Sequence, residues 1–251
     1  MIKVFFIGTG NLGTQLCQAM EKSHSDNVQV VGYSNDSNRK INDIKAPLFV
    51  GSIPLCDLVV LAVPDDKIQL VSDGLSKSQA TVVHTSGSVD VNLLSRFDDY
   101  GVFYIPQTFS KGRSIDLSEV TFCLEASNDS TMEQLELVAS TLSRKRKKVN
   151  SAQRRQLHLA AVYMNNFVNH CYHKAAELLE QSAMDTDLLE PLMIETLKKA
   201  QELGPKNAQT GPAMRGDQNT INKHIALLID SDREMYRAIT HSIKNSHGKK
   251  L

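Results

Sequence analysis

The chain has 251 residues, and its 28 Lys plus Arg are matched by 28 Asp plus Glu, so the formal charge is zero before any histidine contributes. That length favours two domains or one large α/β unit, and the charge balance excludes the basic footprint of a nucleic-acid groove. With no basic-apolar leader, no apolar run near the ~20 residues of a membrane span, and Cys17, Cys56, Cys123 and Cys171 widely spaced in mostly apolar settings, the expectation is a cytoplasmic protein with reduced thiols and neither nucleic acid nor membrane as partner.

The first predicted strand, Val4 to Ile7, runs into Gly8-Thr9-Gly10-Asn11-Leu12-Gly13, and Leu12, Leu16 and Ala19 then mark a helix. Each glycine has its own task. Gly8 makes the tight turn, Gly10 lets a pyrophosphate approach the backbone, and Gly13 lets helix and strand pack closely. The helix beginning near Asn11 offers unsatisfied N–H groups and a positive dipole end to the phosphates. A strand before and an amphipathic helix after make this common glycine pattern a dinucleotide-binding fingerprint.

The second strand, Val28 to Tyr33, ends in Ser34-Asn35-Asp36-Ser37-Asn38-Arg39-Lys40. A neutral Ser34-Asn35 pair with Arg39 and Lys40 nearby suits a ribose 2′-phosphate and favours NADP(H), although Asp36 lies close to where an NAD-type carboxylate would stand. The run Leu58 to Val63 takes the place of the fourth strand and leads through Pro64 to a helix holding Ile68, Val71 and Leu75, with Asp66 as its expected cap. Thr81 to His84 takes the fifth place and ends in Thr85-Ser86-Gly87. Ligands of open parallel sheets bind beyond the carboxyl ends of the strands, which puts Val63, Pro64, Thr85, Ser86 and Gly87 on the nicotinamide side.

Further strands are predicted at Val102 to Ile105 and Val120 to Leu124. Gln107 and Thr108, just past the first of these, are candidates for the same crevice, with plain loop bonding as the alternative. A helical pattern spans Leu135 to Leu142. The run Arg144-Lys145-Arg146-Lys147-Lys148 reads as a solvated link into an edge strand near Val149.

After Asn150 the texture becomes helical. Ala152 to Gln181 contains neither glycine nor proline, and a helix of that length spans roughly 45 Å. Along it His158, Asn165 and Asn169 fall in one narrow sector at 100° per residue, with His173 close by. His158 has the intrinsic pKa of a general acid, against the plainer reading of a structural histidine. A second helix, Asp187 to Leu203, has a capping-box spacing at Asp187 and Glu190 and is stopped by Gly204-Pro205. Thr210-Gly211-Pro212-Ala213-Met214-Arg215-Gly216-Asp217 forms a turn. In it Arg215 presents a carboxylate- or phosphate-binding fork, or pairs with Asp217, and Asp217 caps the next helix. Thr220 and His224 lie four apart on that helix, predicted at Asn219 to Ile229. The last helix, Arg233 to Ile243, has a capping-box start at Ser231 and Glu234, and a polar, frayed tail follows from Lys244 to Leu251. A boundary near residue 150 thus separates a nucleotide-binding domain (1–150) from an all-helical domain (151–251). No catalytic triad or metal-ligand spacing competes with this reading.

The chain resembles the Rossmann-like proteins with a C-terminal DUF2520 domain, relatives of the ketopantoate reductase, pyrroline-5-carboxylate reductase and 6-phosphogluconate dehydrogenase group. The pieces that carry the resemblance are Gly8 to Gly13, Ala62-Val63-Pro64-Asp65, His84 to Gly87, Pro106 to Phe109, His158 to Val162 with Asn166-Phe167, and Thr210 through Asp217 with Thr220 and His224. It implies an α/β fold, a Rossmann-type mostly parallel sheet followed by an all-helical domain, and an NADP oxidoreductase that forms a homodimer through its helices. It also implies cleft positions for His158, Asn166, Arg215 and Asp217. Asn35 departs from the arginine that relatives often carry, and the helix lacks the catalytic lysine of hydroxyacid dehydrogenases, for which Lys174 lies too far along. The expected activity is hydride transfer between NADP(H) and a small C=O or C=N compound bound between the domains. In that scheme His158 gives the proton, Arg215 holds a carboxylate, and Asn166 and Gln107 orient the reacting group. A non-catalytic NADP(H) sensor is the alternative, and the Gly8 to Gly13 spacing argues against a third reading, an S-adenosylmethionine-dependent transferase.

Overall fold

Seven strands form one sheet: β1 (Ile2–Ile7), β2 (Val28–Ser34), β3 (Leu58–Leu61), β4 (Thr81–His84), β5 (Tyr100–Tyr104), β6 (Phe122–Ala126) and β7 (Arg146–Lys148), in the spatial order 2-1-3-4-5-6-7. The structure is a computed structural model that describes residues 1–42, 44–77 and 80–247. All neighbouring strands are parallel except β5 and β6, which are antiparallel. Every residue of β3 and β4 is buried, as expected of unbroken Val and Leu runs covered on both faces. The order reverses between β1 and β3, and such a switch point opens a crevice at the carboxyl ends of the strands.

Successive residues of β1 serve opposite faces. Val4 and Phe6 pack with Leu16, Cys17 and Met20 of α1 (Asn11–Lys22), while Phe5 packs with Val59, Leu61 and Ile68 on the side of α2 (Ile68–Gly74). The helix α3 (Asp129–Ser140) adds Leu135, Val138 and Ala139 to the first cluster and is capped by the Asn128 side chain, which accepts from the Thr131 N–H.

The α/β class and the strand positions agree with the sequence, with three corrections in this half. Leu58 to Leu61 is the third strand and Thr81 to His84 the fourth, because the described residues between 35 and 57 add only a bridge from Leu48 to Tyr33. Asp66 does not cap α2. It lies within a 3-10 turn, Asp65–Lys67, and no side chain caps α2. The basic run does not merely lead to an edge strand, since its last three residues are β7, all exposed and parallel to β6. Glu119 pairs with Arg144 and Lys145.

The helical portion starts with α4 (Ser151–Ala161), entered through a capping box between Asn150 and Gln153. A π-helical turn, Val162–Phe167, follows, and then α5 (Val168–Glu180). The single long helix of the sequence reading is therefore interrupted, and the 100° sector joining His158 to Asn165 and Asn169 does not survive, because a π turn holds an extra residue. Next come α6 (Glu190–Leu203), α7 (Pro205–Ala208), α8 (Pro212–Arg215), α9 (Gln218–Leu227) and α10 (Asp230–His247). Neither predicted capping box forms. Pro191 stands in the first turn of α6, which has no side-chain cap, and α10 already includes Ser231. That helix runs through His247 rather than fraying from Lys244, and residues 248–251 lie outside the described residues.

By contact density the chain divides into two units, Met1–Cys171 and Tyr172–Leu251. Beyond Arg154 only Ala213 and Ile221 are buried among the described residues. No described helix is long and apolar enough to cross a membrane, and no cluster of three metal-ligating side chains occurs among the described residues.

Candidate active site

The turn after β1 has the geometry that a bound pyrophosphate needs. Gly8 has φ +96°, and a Cβ there would lie 2.4 Å from the Ala62 carbonyl oxygen. At Gly13 a Cβ would lie 2.2 Å from the Gly8 carbonyl oxygen, so both positions require glycine. Gly10 differs. It is the N-cap of α1, and a Cβ built on it meets nothing within 4 Å, which leaves open space in front of the helix. The first turn of α1 carries no acidic residue to repel a phosphate, and its leading N–H groups have no intrahelical partners. The residues therefore fit a dinucleotide. Asn11 is exposed and Leu12 half-buried at this helix start.

At the end of β2, Asn35 organises its own loop. Its Nδ2 donates to Thr9 Oγ1 and to the Arg39 carbonyl, each at 3.0 Å, while its Oδ1 accepts from the Arg39 N–H and the Ser37 hydroxyl. The side chain that the sequence offered as a ribose contact thus ties the loop to the glycine turn. Ser34 ends the strand, and the Arg39 side chain stays exposed.

Past β3, half-buried Val63 precedes Pro64, whose neighbour Asp65 accepts from the Ser88 hydroxyl. Past β4, Thr85 Oγ1 donates to the Leu61 carbonyl, and Ser86 Oγ accepts from the N–H groups of Ser88 and Val89. Gly87 carries the ring of His158: a Cβ there would sit 2.6 Å from the imidazole Cγ and Nδ1. The His158 Nδ1 lies 3.2 Å from the hydroxyl of Tyr104, and the two rings meet edge to face at 6.0 Å. Burial pushes the Tyr104 phenol up to about 12, so it stays protonated.

Beneath this loop lies Arg154, fully buried and paired with Glu125 at 3.0 Å. His84 is also fully buried. Its Nδ1 accepts from the Ser86 N–H at 3.2 Å, which places the ring proton on Nε2. Burial first, then the Arg154 charge, pull its pKa down to about 4, against a smaller upward pull from the Asp90 carbonyl.

The remaining candidates are placed as follows. Gln107 is exposed, and its Oε1 accepts from the Thr108 N–H at 2.8 Å, the local loop bond that the sequence left open. Asn166 is exposed within the π turn, as are Asn165 and, beyond it, Asn169. Arg215 belongs to the second unit, ends α8 with an exposed side chain, and makes no ion pair within 4.0 Å among the described residues. Asp217 caps α9 by accepting from Thr220, whose backbone bond is the main cause of a carboxyl held below its usual range. His224 bonds the Tyr236 hydroxyl, and Lys174 bridges Glu177 and Asp232.

Three residues of this site escaped the sequence reading: Tyr104, Glu125 and Arg154. A carboxylate at the end of the apolar run Phe122-Cys123-Leu124 was the available signal, because a buried charge needs a partner.

The fold and the glycine turn define a nucleotide-binding protein of the Rossmann-like class, and family models agree. The Rossmann-like domain matches residues 1–108, and the domain of unknown function DUF2520 matches residues 120–243. The chain belongs to the family of Rossmann-like proteins with a C-terminal DUF2520 domain. A solved Bacteroides fragilis protein called a "putative NADP oxidoreductase" is 34% identical, with a TM-score of 0.86 over 97% of this chain and 98% of its own. A Thermotoga maritima protein is 19% identical, with a TM-score of 0.69 over 97% and 98% of the two chains. The imine reductase of Myxococcus stipitatus, solved with NADP+, shares the fold at 16% identity and a TM-score of 0.69, covering 98% of this chain and 96% of its own. No protein of curated function matches the sequence.

Proposed function

We propose that the protein is an NADP(H)-dependent oxidoreductase acting on a small C=O or C=N compound. The observation that carries this reading is the seating of His158 on Gly87, beside Tyr104, at the carboxyl ends of β4 and β5. There an imidazole serves as a proton donor to a carbonyl or imine. The 34%-identical Bacteroides relative and its name support the cofactor. When bound, NADP(H) supplies or accepts the hydride.

The chain's own residues divide the remaining work. Gly8, Gly10, Asn11, Leu12 and Gly13 receive the pyrophosphate, and Ser34, Asn35 and Arg39 take the ribose 2′-phosphate, with Asn35 holding the loop and Arg39 supplying charge. Val63, Pro64, Thr85, Ser86 and Gly87 line the nicotinamide side. His158 moves the proton, its ring oriented by the Tyr104 hydroxyl, Asn166 and Gln107 orient the reacting group, and Arg215 anchors a substrate carboxylate. Residues 1–150 hold the cofactor and 151–251 serve the substrate and assembly.

We also assign a cytoplasmic homodimer. All four cysteines are free. The helices carry exposed Tyr163, Met164, Leu192, Ile194 and Leu197, a density of apolar surface that marks an interface.

The test is NADPH titration followed by stopped-flow oxidation against a panel of small 2-oxo acids and cyclic imines. Turnover that falls in His158→Gln supports the reading, and Arg215→Ala should raise KM for acidic substrates far more than it weakens NADPH. Tight NADPH binding with no turnover on any panel member replaces it with a sensor.

A further inference from the structure

Arg154 uses its whole guanidinium inside the fold. Nε and Nη2 donate to Glu125 Oε2, Nη2 also donates to Ser151 Oγ at 3.0 Å, and Nη1 donates to the carbonyls of Ser86 at 2.9 Å and Val89 at 2.7 Å. Five N–H groups thus find five bonds, a set that lysine cannot reproduce. Ser151 Oγ in turn donates to Glu125. The network joins three segments: the end of β6, the loop after β4 and the first turns of α4.

An ion pair this deeply buried is a poor source of stability, because desolvation offsets the attraction. Its geometry serves the loop instead. In a trans peptide the C=O of one residue and the N–H of the next point opposite ways, and no peptide bond here is cis. Because the Ser86 carbonyl faces Arg154, the Gly87 N–H faces away from it. Gly87 is buried, yet its N–H has no hydrogen-bond partner among the described residues, whereas those of Ser88 and Val89 are both taken by Ser86 Oγ. A backbone donor left unpaired in a buried residue is rare and calls for a partner. His158, one helical turn beyond Arg154, packs on the same residue.

We propose that Arg154, with Glu125 as its counter-ion, is the positioning residue of this site: it turns the Ser86–Gly87 peptide so that the Gly87 N–H is offered to a ligand oxygen, and holds the loop against His158. The inference rests on the NADP(H) reading above, and its ligand is the bound nucleotide.

The test uses 15N-labelled full-length protein, with NADP+ as probe, in wild type, Arg154→Lys and Glu125→Gln. In wild type, NADP+ shifts the amides of Gly8 to Gly13 and that of Gly87. In Arg154→Lys the Gly87 amide is displaced before any nucleotide is added and no longer responds to it, and the His158 ring signals, assigned with His158→Gln, move as well. On an active panel substrate kcat falls about 100-fold, the scale of a misplaced reacting group, while KM for NADPH changes by less than about threefold. If Arg154→Lys does not fold, Glu125→Gln gives the same readouts with the donors retained. Gly87 and His158 signals unchanged in a variant that only melts earlier would overturn the proposal. Shifts at Gly8 to Gly13 without one at Gly87 overturn it alone, and no shift at either place overturns the cofactor reading with it.

Discussion

The two units solve the problem of apolar surface differently. In Met1–Cys171 the apolar residues close around a sheet, with Phe5 on one face and Phe6 on the other, both fully buried. In Tyr172–Leu251 the helices are as regular, but only Ala213 and Ile221 are buried among the described residues, while Leu192, Leu197 and Leu227 are each at least 60% exposed. The difference teaches that a helical pattern in sequence reports which residues want cover without saying where that cover comes from. The sheet of the first unit is covered from within that unit, and on our reading a second copy covers the exposed helices, Tyr163 and Met164 of the first unit included.

The largest expected effect tests that contrast directly. Leu192→Asp with Leu197→Asp should weaken self-association by about a thousandfold or more, as for two central anchors, read by analytical ultracentrifugation. A wild type that sediments as a monomer would remove the contrast's explanation. Next comes His84, which marks how finished the first unit is. It stays neutral in the fold down to about pH 4, whereas the unfolded chain protonates near the ordinary 6.5. Unfolding therefore takes up a proton between these limits, and stability drops as pH falls through that window, by about 3 kcal/mol in all. Chemical denaturation from pH 4 to 7 should show this slope, and His84→Gln should flatten it.

A smaller effect separates two glycines of the same turn. Gly13→Ala drives a Cβ against the Gly8 carbonyl and should cost about 2 kcal/mol in stability. Gly10→Ala meets open space, so its melting temperature should hold while NADPH affinity falls about tenfold by calorimetry, or about 1.4 kcal/mol. Lys174→Ala, removing a partly exposed bridge to Asp232 in the second unit, should leave the melting temperature nearly unchanged.

The sheet and the glycine turn were legible in the sequence because their signals are local: a β-rich run, a glycine spacing, a helical period. Asp217 was legible as a cap for the same reason. What failed depended on partners distant in the chain or on small departures from ideal geometry. The sector containing His158 and Asn165 assumed a uniform helix, and one π turn changed it. Asp66 lost its capping role to a short 3-10 turn. Arg154 and Glu125, 29 residues apart in sequence, announce themselves only when the fold brings them together. Tyr104 looked like ordinary strand filling until its hydroxyl met His158.

The start of α1 also holds the segment that follows β5. Asn11 Nδ2 donates to the Phe109 carbonyl and Gln15 Nε2 to the Ser110 carbonyl, each at 3.1 Å. Exposed Lys111 and Arg113 lie just beyond this clasp. The helix that would grip a phosphate is thus also the latch of a loop that carries two basic residues, and by linkage whatever steadies one steadies the other. Slower tryptic nicking after Lys111 and Arg113 as NADPH is added would make cleavage of that loop a gauge of cofactor occupancy.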